Sequence, residues 1–543
     1  MRLAVVLLAF VAAATLTATL VSGLHGSLTP WISGIGLLAG LVAALAVARA
    51  SPGGDPPAPS GAELAAWLLF GIVALRQFGW LLFLDGGVVR TANPYNYGDL
   101  PLHVTYIETL ARGVRFWPEN PVFAGERLRY PIGMDVWNAM LLQLGVPLAL
   151  GLKATGLVAS CLLAWALWRW GRGFAVVAFL LSGGVEAAGL AWLNLFLSLF
   201  VTQRGFLFAL PAGLVLLVSW RERLLRRSGP GLPPWVEGLL WGALPLFHLH
   251  TFLFVSLLLG LWTLARGSWR GSLRALAVAL VPASLGVYAV TDHFRAASLV
   301  GWAPGWVIGD RPLLSFMARN FGLLVPLAVV LGVVALRRRL PEWRLVVLPA
   351  LALWTALFFV RLAPWAWDNT KVMVWCYVLL LPATGDLLGR VGLPWRAALV
   401  AVWLLPGSVT VWQNTLPLRR DLEVYDVAER AGVCAAVAGL SPDARVATRP
   451  TFNHPVALCG QPIVEGYAGH LWSHGIDARR VDADLRTLML GQPEWREAAR
   501  RLETRWLFWG RGEAAEFAGS SQPWSEAAPV AAGPWGRLYS LPD

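Results

Sequence analysis

Residues 98–135 read GDLPLHVTYIETLARGVRFWPENPVFAGERLRYPIGMD, a polar stretch set between apolar segments that carry almost no charge. It concentrates Asp99, His103, Glu108, Glu119, Glu126 and Asp135. Ionisable groups are costly in a membrane protein, so their concentration in one long loop marks a place of recognition or chemistry.

The surroundings of that loop decide the fold class. The chain has 543 residues, 57% hydrophobic and 14% charged, where a soluble chain carries about a quarter charged residues. Mean hydropathy is +0.59. Thirty Trp fit a chain with many membrane–water boundaries, where an indole keeps one edge wet. The expectation is a mainly α, polytopic membrane protein in a lipid bilayer. A net charge of +12 invites a nucleic-acid reading, but the arginines fall in short clusters between apolar spans, so nucleic acid is excluded as a partner.

A span needs roughly 20 apolar residues. About thirteen segments qualify or nearly do: 3–22, 31–49, 62–84, 148–168, 173–190, 206–220, 235–249, 250–266, 274–291, 313–336, 343–361, 372–389 and 395–413. The N-terminal run reads as a retained signal-anchor helix. With the N-terminus in the cytoplasm, five basic clusters fall on the cytoplasmic side: Arg169/Arg172, Arg221/Arg223/Arg226/Arg227, Arg266/Arg270/Arg274, Arg337/Arg338/Arg339 and Arg390/Arg396. Residues 50–61 form a Pro- and Gly-rich cytoplasmic linker. The 85–135 loop, the 362–371 loop and everything after 413 then lie outside. The expected division is a transmembrane domain, 1–413, and a small extracytoplasmic α/β domain, 414–543. Cys161 and Cys376 sit in apolar spans as packing residues, whereas Cys434 and Cys459 can pair if the C-terminal part is extracytoplasmic.

On a helical wheel Asp99, His103 and Tyr106 share one face. Leu100, Val104, Ile107, Ala111 and Val114 form an apolar stripe, and Glu108, Arg112 and Arg115 fall on a third face. This predicts an interfacial helix over 100–115 with its stripe toward lipid or protein. Glu108 and Arg112 read as a solvated i,i+4 ion pair. Asp99 reads either as a helix cap or as a reactive carboxylate oriented by His103. Arg127 and Arg129 are either phosphate contacts or solvated. Around Trp365-Ala366-Trp367-Asp368-Asn369-Thr370-Lys371 the alternatives are an interfacial belt and an anion site, with Lys371 and Arg361 as donors and Asp368 holding Lys371 or a metal ion. Lys371 stands out because the only other lysine is Lys153. His248 and His250 face opposite ways on a helix, so a metal pair there needs extended backbone. His470 and His474 have a metal-like i,i+4 spacing without an acidic neighbour.

The GDLPLH segment, the amphipathic helix, ENPVFAGERLRYP (119–131) and a C-terminal outer domain together resemble the GT-C superfamily of membrane glycosyltransferases. WDNTK (367–371), TFNHP (451–455) and EGYAGHLWSHG (465–475) resemble a bacterial branch of it. The resemblance covers most of the chain in architecture and only short segments in motif. It implies a lipid-phosphate sugar donor, an extracytoplasmic acceptor (glycan, lipid or protein), the bacterial plasma membrane, and a catalytic acid at Asp99. Leu100 stands where relatives commonly carry a second acid, which leaves a divalent metal as an open cofactor. Such a transfer needs one general base and cations for the departing phosphate. Asp99 with His103 fits the first role; Lys371, Arg361, Asp368 and Arg129 fit the second. Glu108, His248 and His250 are secondary candidates. A transporter or flippase, or a non-catalytic scaffold with a binding outer domain, is the alternative, but transporters hold their ionisable groups near mid-membrane, unlike this chain.

Overall fold

The computed structural model describes residues 2–50, 58–184, 190–229, 231–295, 300–337, 341–416 and 421–542. Residues 51–57 of the expected linker, and Arg338 and Arg339, lie outside the described residues.

The helices of the first part are α1 (Arg2–His25), α2 (Pro30–Ala50), α3 (Gly61–Gly79), α4 (Asp99–Ala111), α5 (Gly133–Gln143), α6 (Leu148–Leu180), α7 (Phe206–Trp220), α8 (Pro234–Phe247), α9 (Leu249–Arg266), α10 (Trp269–Val290), α11 (Leu313–Phe321), α12 (Leu324–Arg337), α13 (Pro341–Ala356), α14 (Thr370–Leu388) and α15 (Leu393–Thr415). Among the described residues eight are long and apolar enough to cross a membrane: α1, α2, α3, α6, α9, α10, α14 with the turn before it, and α15. The pair α11 and α12, bent by 89°, makes a ninth if it counts as one span.

The difference from thirteen has local causes. Segment 148–168 and the first part of 173–190 run together in α6, which kinks where Gly171 and Arg172 leave helical geometry, and residues 185–189 lie outside the described residues. Helices α7, α8 and α13 are shorter, at 15, 14 and 16 residues. Every residue of α7 is buried, so it lies inside the bundle. Helices α1 and α2 approach closely because Gly36 and Gly40 lack side chains: a Cβ at Gly40 would stand 2.7 Å from the Phe10 carbonyl oxygen.

The two ends of the bundle differ chemically. At one end Arg172 pairs with Glu63 at 2.8 Å, Arg169 with Glu222 at 2.8 Å, and Arg226 with Glu342 at 3.1 Å. These contacts gather the start of α3, the kink of α6, the end of α7 and the start of α13. At the other end β1 (Phe83–Asp85) and β2 (Val88–Thr91), which follow α3, form a sheet with β7 (Leu422–Asp426), which follows α15. The first large loop and the C-terminal part therefore lie at the same end.

Between them in sequence, β3 (Glu119–Asn120) pairs with β4 (Phe123–Arg127), and β5 (Gly301–Trp302) with β6 (Val360–Arg361). The C-terminal part holds α16 (Val427–Val437), α17 (Pro455–Leu458) and α18 (Ala468–Ser473). It also holds a four-stranded sheet of β8 (Val446–Ala447), β9 (Trp506–Trp509), β10 (Ala531–Gly533) and β11 (Gly536–Ser540), in the order β10-β11-β9-β8. Leu485, Leu488, Trp495, Leu507, Trp524 and Tyr539 form part of its own core. A disulfide joins Cys434 to Cys459.

Loop and domain are knitted together. Ile463 N donates to Pro121 O at 2.9 Å and Gly466 N to Val122 O at 2.8 Å. This changes the setting of the expected interfacial helix. α4 ends at Ala111, and Leu100 to Ile107 are all buried. Its apolar stripe faces protein, α5 on one side and the C-terminal domain on the other, so no stripe is left for lipid. Glu108 is also not paired with Arg112. It accepts from Arg430 of α16 at 2.6 Å, while Arg112 donates to Val437 O and Gln461 Oε1.

Candidate active site

Asp99 is the first residue of α4. The capping position falls to Gly98, which already has helical backbone and makes no side-chain cap. Among the described residues the Asp99 carboxylate has no hydrogen-bond partner, so the capping alternative does not hold. Burial raises its pKa; the nearby charges of His103, Lys371 and Arg204 oppose that shift, and Asp368 adds to it. A desolvated carboxylate without a hydrogen-bond partner among the described residues, within electrostatic range of Lys371 and Arg204, is suited to accept a proton.

His103 does not orient Asp99 directly. Its Nδ1 lies 2.8 Å from Asp135 Oδ1, both side chains 1% exposed, and its Nε2 lies 3.5 Å from the Tyr130 hydroxyl. Asp135 sits in the first turn of α5, so the packing of α5 against α4 fixes the imidazole. His103 still acts on Asp99 through space.

Lys371 Nζ lies 3.1 Å from Asp368 Oδ2. Their loop is held by Asn369, whose Nδ2 donates to Leu357 O and Val360 O at 2.8 Å and whose Oδ1 accepts from Leu362 N at 3.0 Å. Arg361 is placed elsewhere: its Nη1 donates to Pro364 O at 3.2 Å, and it is not among the charges acting on Asp99. Arg129 is likewise drawn off, to Glu126 at 3.0 Å and Asp292 at 3.4 Å. Both were expected at the phosphate; Arg361 is held within its own loop, and Arg129 is tied to Glu126 and to Asp292 beyond α10.

His248 caps α9, accepting from Thr251 N at 3.1 Å, with Thr251 Oγ1 2.8 Å from its Nδ1. His250 lies 5.6 Å from it, ring to ring, and within electrostatic range of Lys371 and Asp368. Among the described residues no three His, Cys, Asp or Glu side chains come together as metal ligands.

Two contributions were not singled out from sequence, and a third was singled out only as a metal-like pair and a motif segment. Arg204 is 1% exposed, and Nε, Nη1 and Nη2 all lack a hydrogen-bond partner among the described residues. Burial lowers its pKa to about 10, with Asp135 and Asp99 opposing, so it stays cationic at neutral pH. A buried, unpaired guanidinium costs several kcal/mol unless an anion meets it. Its signal was an arginine with no acidic residue near it in the sequence, between two apolar segments. Tyr130 is the second; the charge of Asp99 is among the causes that hold its phenol up. The third is the wall contributed by α18, where the His474 ring lies 5.3 Å from that of Tyr130 and a Cβ on Gly98 would stand 2.7 Å from His470 Nε2.

Comparison with known proteins adds a broad likeness of fold. No protein-family model and no curated protein matches the chain. Among solved structures, the oligosaccharyltransferase of Archaeoglobus fulgidus tethered to an acceptor peptide superposes with a TM-score of 0.48 and 11% identity, covering 82% of this chain and 69% of that one. The archaeal oligosaccharyltransferase from the same organism, in complex with an inhibitory peptide and a dolichol-phosphate, gives a TM-score of 0.42 and 10% identity over the same shares. A likeness of that degree leaves the activity to be argued from the site itself.

Proposed function

We propose that this chain is a GT-C-type membrane glycosyltransferase that moves a sugar from a polyprenyl-phosphate donor to an extracytoplasmic acceptor. The observation that carries the proposal is the Asp99 carboxylate, unpartnered among the described residues, with Lys371 and the unpaired Arg204 acting on it. In this reading an acceptor hydroxyl gives its proton to Asp99, and its oxygen attacks the anomeric carbon. The bond from that carbon to the phosphate oxygen breaks, and polyprenyl phosphate leaves with the electron pair. Lys371, set by Asp368, and Arg204 stabilise the phosphate as it departs. His103 and Asp135 hold α4 and α5 together beside Asp99. The proposed setting is a bacterial plasma membrane with the N-terminus in the cytoplasm, supported by the arginine clusters at the opposite end from the site.

The test is purified protein in lipid nanodiscs offered a panel of polyprenyl-phosphate sugars, with released polyprenyl phosphate measured by mass spectrometry. Release from at least one donor is expected. A panel in which no donor is bound or consumed would overturn the reading.

A further inference from the structure

Aromatic rings gather beside the start of α4. Tyr97, two residues before Asp99, is 46% exposed, and its ring lies 4.3 Å from Phe452 and 6.2 Å from Tyr467. Phe452 and Tyr467 are 6.2 Å apart, which closes a three-ring cluster. A second cluster adjoins Lys371: Trp365 stacks on Trp367 at 4.9 Å and lies 6.0 Å from Trp472, which is 56% exposed. Residues 467–474 join the two clusters and carry His470 and His474 between them.

The segments that carry Tyr97, Phe452, Tyr467 and Trp472 are uncharged in a strongly basic protein. Residues 93–98 (NPYNYG), 451–455 (TFNHP) and 466–475 (GYAGHLWSHG) contain no Asp, Glu, Lys or Arg. The Tyr97 and Tyr467 hydroxyls and the His470 and His474 side chains have no hydrogen-bond partner among the described residues. Burial lowers His470 to about 4 and His474 to about 3, so both imidazoles are neutral at physiological pH. Ring faces combined with neutral donors and acceptors suit a ligand with weakly positive C–H faces and hydroxyl edges. A pyranose or furanose has that character. These three segments carry no charge to pair with an acidic or basic peptide, and Lys371 and Asp368 beside Trp367 are already paired with each other. A membrane belt explains exposed Trp but not the Tyr97–Phe452–Tyr467 cluster, which joins the first loop to the C-terminal domain.

We infer that Tyr97, Phe452, Tyr467 and Trp472 form a saccharide subsite, so that the acceptor of the proposed transfer is a neutral glycan that stacks on these rings and presents a hydroxyl toward Asp99. The inference rests on the transferase reading for the acceptor role, but the binding itself can be measured separately.

The experiment is saturation-transfer NMR on the full chain in nanodiscs, with neutral tetrasaccharides of glucose, mannose and arabinose as probes. At least one probe should take saturation on its ring C–H protons. That signal should fall at least tenfold in both Tyr97→Ala and Phe452→Ala, and persist in Tyr97→Phe and Asp99→Asn. Absence of signal for all three probes, or its persistence in both alanine variants, would overturn the subsite. Sugar binding that survives alongside no consumption of any lipid donor would uphold the subsite and count against the transferase reading.

Discussion

The Glu108 carboxylate accepts a hydrogen bond from Arg430 Nη2 at 2.6 Å, and the same Nη2 donates to Leu458 O at 2.8 Å. One guanidinium thus ties the helix that begins with Asp99 to both α16 and α17. Burial raises the pKa of Glu108, and Arg430 opposes that shift. Arg430→Met should leave the carboxylate half-buried without its partner and cost about 2 kcal/mol. Thermal unfolding in detergent should show this as a lower Tm. The double variant Arg430→Met/Glu108→Gln should recover part of the loss.

Arg204 should behave in the opposite way. Removing a buried cation that has no protein partner relieves a desolvation cost, so Arg204→Met should hold or raise the Tm of the ligand-free protein. If the guanidinium meets the donor phosphate, the same variant should weaken polyprenyl-phosphate binding by about 100-fold, since truncating one side of a buried charge pair costs about 2–5 kcal/mol. Titration calorimetry with a short-chain polyprenyl phosphate reads this directly. Unchanged binding would remove Arg204 from the phosphate site.

The pH profile follows from Asp99. Its folded pKa is raised by burial, and the proposed base must be ionised, so kcat/KM should fall as pH drops through that raised value. The acid limb should therefore lie above the ordinary carboxylate range. Asp368→Asn removes a like charge from the neighbourhood of Asp99 and should move the acid limb to lower pH. A shift in the other direction would contradict the electrostatic arrangement.

Glu465 makes a prediction about stability. It is 3% exposed, its Oε2 has no partner among the described residues, and burial, then Asp482, push its pKa up to about 8. The folded state therefore holds this proton more tightly than the unfolded chain, whose value stays near 4.5. That contribution is complete at acid pH and is lost as pH rises from about 4.5 to about 8. The Tm should decline across that window, and Glu465→Gln should flatten the decline.

Composition and span periodicity made the helical membrane class legible, and charge bias made the two ends of the bundle distinguishable. The site was legible only where a residue's role is local. Asp368 and Lys371 lie three apart on one turn, so their contact at 3.1 Å needs no knowledge of the fold. The His103–Asp135 pair spans 32 positions, and the Glu108–Arg430 pair 322, so both depend on packing that a helical wheel cannot supply. For that reason α4 read as amphipathic and interfacial: its three-faced pattern is the same whether the apolar stripe meets lipid or a folded domain. Arg361 and Arg129 show the converse problem, because a sequence shows that a guanidinium is present but not that Pro364 O or Asp292 already holds it.

Asp99→Asn decides whether Asp99 is the base. The substitution keeps the shape and removes the proton acceptor. Polyprenyl-phosphate release from a consumed donor should fall by about 100-fold or more, while binding of polyprenyl phosphate by calorimetry stays within a few-fold of the parent protein. Release at the parent rate from the Asn variant would exclude Asp99 as the base.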